Sequence, residues 1–183
     1  RELEEAEKTI EKLIKESRDI NEKVARDIDK TIREIREEMK RVEEEIRDLI
    51  RRIREVVKRD GGESERVVRE VRRILEEIKK LLEELEKRVE EIHERNKRLL
   101  DTVLRVSEKV VEDIRRLVEE VRRRGADERK LREVTKRVDK VLEESRRHLE
   151  EVYRKSKEVV DEIRKRLREV LKRVREDVER IER

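Results

Sequence analysis

Apolar residues recur every three or four positions along almost the whole chain, and only two short glycine-bearing stretches interrupt the pattern. In the first third the spacing runs Ile10, Ile14, Ser17, Asn21, Val24, Ile28, Thr31, Ile35, Met39, Val42, Ile46, Leu49, Ile53, Val56. That is one stripe of an α-helix, and the period of two that marks a strand is absent. The interruptions are Asp60-Gly61-Gly62-Glu63-Ser64 and Arg124-Gly125-Ala126-Asp127. Glycine there supplies the left-handed conformation that ends a helix, and Ser64 and Asp127 are suited to cap the helices that follow. The pattern predicts helices over about 1–60, 63–124 and 127–183, in a single domain spanning 1–183.

Short turns make successive helices antiparallel neighbours. Doubled positions such as Leu49-Ile50, Val56-Val57, Leu81-Leu82, Leu99-Leu100 and Val159-Val160 widen each stripe beyond a two-per-heptad seam. The expected fold is therefore all-α, an antiparallel three-helix bundle of long helices, each about 60 residues, with coiled-coil-like packing. Occasional steps of four and four raise the mean period above ~3.5, so supercoiling is expected to be weak.

Composition excludes most other classes. Of 183 residues, 56 are Lys or Arg and 52 are Asp or Glu, for a net charge of only +4. Hydrophobic residues make up 32%, and Pro, Cys, Trp and Phe are absent. Without cysteine there is no disulfide, thiolate chemistry or sulfur-ligated metal. No uncharged run approaches the ~18 residues needed to cross a bilayer, and the first residues carry no apolar signal core. A soluble protein, cytoplasmic on recombinant expression, is expected.

Charge and functional residues offer no catalytic, cofactor or metal site. Acidic pairs occur throughout the helix surfaces, as an i,i+4 ion-pair pattern produces, and none is marked out as desolvated. Gly61-Gly62 lacks the Lys and Ser/Thr of a phosphate loop. His93 and His148 are the only histidines, set at different expected levels, so a shared metal site is not expected. There is no long basic block or set of stacking aromatics for nucleic acid, and no Trp or Phe for a membrane surface. Arg122-Arg123-Arg124 reads as a positive helix C-terminus.

The thirteen uncharged polar residues carry the sharpest signal. A hydroxyl, amide or imidazole within a Val/Ile/Leu stripe costs stability unless it is hydrogen-bonded. With turns centred near 61.5 and 125.5, residue i of the first helix sits level with about 123 − i in the second and about 128 + i in the third. Ser17, Asn21, Thr102, Ser107, Ser145 and His148 then form one layer. Thr31, His93, Asn96, Tyr153 and Ser156 form a second. Thr9 and Thr135 are expected at the boundary. Such layers would fix register, because a slipped helix strands a polar group against aliphatic surface at roughly 1–3 kcal/mol per group. A histidine acceptor in a layer would also give the bundle an acid-sensitive point.

Equal helices, minimal glycine turns, a Lys/Arg/Glu surface and layered Ser/Thr/Asn/His together resemble de novo designed helical bundles with buried hydrogen-bond networks. Three alanines (Ala6, Ala25, Ala126) and no glutamine add to the impression of a restricted alphabet. The resemblance implies a scaffold without a natural substrate, required partner or cofactor. Burial of most of the apolar residues, with good helix propensity and almost no loop, predicts a melting temperature above ~90 °C. The other reading is a subunit of a designed oligomer, or a module that takes a partner helix, with the polar layers serving as the specificity code.

Overall fold

A computed structural model describes residues 2–60 and 64–182. Three helices, α1 (Glu2–Asp60), α2 (Glu65–Arg123) and α3 (Glu128–Glu182), form a three-helix bundle. Gly61, Gly62 and Glu63 of the expected first turn lie outside the described residues. Each remaining helix end follows from local chemistry. Ser64 caps α2, its Oγ accepting from Val67 N–H at 3.3 Å, and Asp127 Oδ1 accepts from Arg129 N–H at 3.1 Å at the start of α3.

The end of α2 is a Schellman motif. Gly125 has φ +90°, its N–H donates to Arg122 C=O at 3.1 Å, and Ala126 N–H donates to Val121 C=O at 3.2 Å. Val121 and Ala126 belong to one apolar cluster, the contact that usually accompanies this cap. A Cβ at Gly125 would meet no atom within 4 Å, so only backbone conformation penalises a side chain there. Gly125→Ala is expected to lower unfolding free energy by about 1–2 kcal/mol; denaturant unfolding of the pair of proteins checks it.

The single domain expected over 1–183 divides into two compact units, each built from part of all three helices. The first comprises Arg1–Lys30 with Glu94–Ser156. Its core holds Ala6, Ile10, Ile114, Val118, Leu131 and Val138. Here α2 and α3 run antiparallel, as the Arg122–Glu128 and Asn96–Ser156 pairs show, while α1 and α3 run parallel through Glu11–Arg137 and Asn21–Ser145. The second unit comprises Thr31–His93 with Lys157–Arg183, and its core includes Ile35, Ile78, Leu85, Val89, Val160 and Leu167.

Doubled apolar positions do not all turn inward. Leu49, Val56, Leu82, Leu100 and Val160 are buried, whereas Ile50 and Val57 are each 40% exposed. Along α3 the inward positions run Val138, Ser145, Leu149, Val152, Ser156, Val160, Ile163, Leu167, Leu171, Val174. They advance by close to the ~3.6 residues of a straight helix. That period moves the inward position from His148, where it was expected, to Leu149.

Candidate functional site

Polar side chains inside the helix faces are the only unusual chemistry the described residues offer. No group of three or more His, Cys, Asp or Glu that could hold a metal occurs among them, and no helix is long and apolar enough to cross a membrane.

In the first unit, Ser17 and Asn21 are spaced i and i+4 on α1 and so share a face. They are 2% and 4% exposed. Asn21 Nδ2 donates to Ser145 Oγ at 2.8 Å, which ties α1 to α3. Ser17 Oγ and Asn21 Oδ1 are buried with no hydrogen-bond partner in the protein, so this cluster is only half satisfied. Asn96 Nδ2 donates to Ser156 Oγ at 3.4 Å and ties α2 to α3, with both residues at 0% exposure.

Tyr153 is half-buried nearby in sequence. Burial raises its phenol above the ordinary value near 10, and the carboxylates of Asp101 and Glu94 add to the rise. Because the folded state holds this proton more tightly than the unfolded chain, the stability it confers is complete below about pH 10 and lost as pH rises through the folded pKa. Alkaline unfolding should therefore be less steep in Tyr153→Phe, measured by denaturant midpoints on both sides of that pH.

Three members of the first expected layer sit elsewhere. Thr102 is exposed, and its Oγ1 donates to Arg98 C=O at 2.9 Å, one turn back on its own helix. His148 is exposed and Leu149 is buried in its place. Ser107 is half-buried on a groove of about 410 Å³ shared with Leu104 and Leu142, and it makes no hydrogen bond to Asn21 or Ser145. The cause is register. The α1–α3 offset is 124 at Asn21–Ser145 and 126 at Glu11–Arg137, where 128 was expected. α2 begins at Glu65 rather than near 63.

Residues of the second expected layer fall in both units, with Asn96, Tyr153 and Ser156 in the first and Thr31 and His93 in the second. Thr31 is 9% exposed and His93 8%. Thr9 and Thr135 behave like Thr102, each donating to the carbonyl four residues back, Glu5 at 3.1 Å and Leu131 at 2.8 Å.

Sequence patterning missed the ion pairs that link helices. Arg164 grips Glu90 through two nitrogens, Nη2 to Oε2 at 2.6 Å and Nε to Oε1, with the Arg164 side chain only 23% exposed. Arg88 Nε meets Glu38 Oε2 at 2.8 Å. Any of the dozens of Arg and Glu residues bordering a stripe satisfies the same spacing, so the pattern does not single these out. Ion pairs at the helix surface contribute ~0–1 kcal/mol each, and these two, each with one largely covered partner, stand at the upper end of that range.

No family model matches the chain, and no curated protein does. Among solved structures it is similar to one described as a "Computationally designed three helix bundle", with a TM-score of 0.66 and 20% identity over 99% of this chain and 92% of the other. At that identity the likeness concerns the fold.

Proposed function

We propose that this chain is a designed structural scaffold without a natural biochemical activity, whose buried polar residues specify helix register and topology. The observation that carries the reading is the Asn21–Ser145 bond, a 2.8 Å link between two helices made by an amide that is 4% exposed. The Asn96–Ser156 link supports it at a second level. Uncharged polar groups here join helices without assembling a nucleophile, base or ligand set. The fold shared with a computationally designed bundle supports the designed origin.

An apolar stripe alone accepts several registers of similar energy, whereas a displaced Asn is left buried against aliphatic surface at about 1–3 kcal/mol. The test is the double variant Asn21→Leu, Asn96→Leu. It should melt at the same temperature or higher, since buried polar groups are weak sources of stability, yet show multiple amide signals or mixed association states. A variant with one set of signals and the parent's mass overturns the register role.

A second reading, a subunit of a designed oligomer or a helix-binding module, draws on Ile50 and Val57, each 40% exposed. Light scattering after size-exclusion separates the two. A mass near 22.6 kDa favours the closed scaffold, and a multiple of it favours the subunit.

A further inference from the structure

The best-buried part of α1 in the second unit is interrupted. Ile35 is 0% exposed and Leu49 9%, but the three stripe positions between them, Met39, Val42 and Ile46, are only half-buried although their spacing is unbroken. On α2 the inward positions Ile78, Leu82, Leu85 and Val89 are all at most 3% exposed. α1 and α3 therefore leave a groove of about 280 Å³, walled by Met39, Val42 and Ile46 on α1 and Leu167 on α3 and floored by Leu82 and Leu85. Ile50, 40% exposed, carries the α1 wall outward.

We propose that this groove is a binding site for a monomeric medium-chain amphiphile with an anionic head, such as an alkyl carboxylate. Its lining is aliphatic apart from the mouth, where Arg166 Nη1 lies 3.5 Å from Glu43 Oε1 across the opening. Arg47 stands one turn beyond Glu43 at the same mouth. An adjoining cleft that shares Met39, Glu43 and Arg166 adds Arg36, Lys40 and Glu162. Four cations face two carboxylates there, so an anionic head gains Arg47 without displacing the Glu43–Arg166 pair, and a cationic head meets net repulsion.

Size decides the class of occupant. The groove lies near the lower end of the ~300–1,000 Å³ typical of small-molecule sites, whereas a stable pairing with a second copy needs about 800 Å² from each partner. Met39, the chain's single methionine, suits such a site, because an unbranched thioether adapts to ligands of varying shape.

The same residue supplies the test. With the methionine methyl isotopically labelled, residues 1–183 contribute one methyl signal, assigned by its loss in Met39→Leu, and it reports from the groove wall. Decanoate, titrated below its micellar concentration, should shift that signal saturably. Decyltrimethylammonium, with the same tail, should bind about fivefold or more weakly, and Arg47→Glu should reverse the preference. Arg47 is exposed, so this variant should keep the parent's circular dichroism. An unmoved signal up to the micellar concentration overturns the proposal. Equal shifts by both amphiphiles overturn the role of the head group, and a ligand-free mass of twice one chain gives the groove to a second copy instead.

Discussion

Leu149→Ala is expected to lower the free energy of unfolding by about 2–5 kcal/mol, while His148→Ala stays within about 0.5 kcal/mol of the parent. Leu149 is 0% exposed and His148 lies on the surface. The observed α1–α3 offset of 124 sets Leu149 level with Ala25, itself 3% exposed. A large side chain opposite a small one fills the space between two helices, and truncating the large one leaves a cavity with nothing nearby to close it. A chain of this length melts about 2–4 °C lower for each kcal/mol lost. Heating in a fixed concentration of guanidinium brings that difference into range even for a hyperstable bundle. Equal losses at the two positions, or a larger loss at His148, would restore the register in which the imidazole points inward.

Helical phase, and not local chemistry, separates His148 from Leu149. Helix existence and helix ends were legible because their causes are local: Ser64 and Asp127 bond to amides two or three residues away, and Gly125 closes a turn within five residues. The inward choice between neighbours such as His148 and Leu149 depends on phase accumulated over many turns. A stripe read at 3.5 residues per turn and one read at 3.6 differ by a full position after roughly ten turns. Levels across helices depend in turn on where each helix starts, and a start of α2 one residue later shifts the α1–α3 offset by one. Ser17, Asn21, Asn96 and Ser156 lie on the stripe under either period and are buried, whereas Thr102 was admitted on its level alone. Its hydroxyl, like those of Thr9 and Thr135, finds a carbonyl on its own helix and needs no neighbour.

Asn96 gives the other large effect, since it is 0% exposed and nearly isosteric with aspartate. Asn96→Asp adds a carboxyl in place of an amide without changing shape, so its consequence is electrostatic. An unfolded-chain aspartate titrates near 3.9, and full burial raises a carboxyl by up to about 3–5 units. The variant should therefore match the parent to within the lost Asn96–Ser156 bond, about 1 kcal/mol, below pH 4. Above that pH the unfolded chain releases its proton while the folded one retains it, so the variant falls behind progressively until the folded pKa is passed. The full deficit corresponds to about 4–7 kcal/mol at 1.36 kcal/mol per unit. Denaturation midpoints of variant and parent, compared at each pH, read this difference and cancel the titration of the surface carboxylates common to both. Thr102→Asp is the control, because an exposed carboxylate there opens no such gap. A flat difference for Asn96→Asp across the same range would place position 96 in contact with solvent, and the amide could then no longer strand itself when a helix slips, which is the property the register role requires.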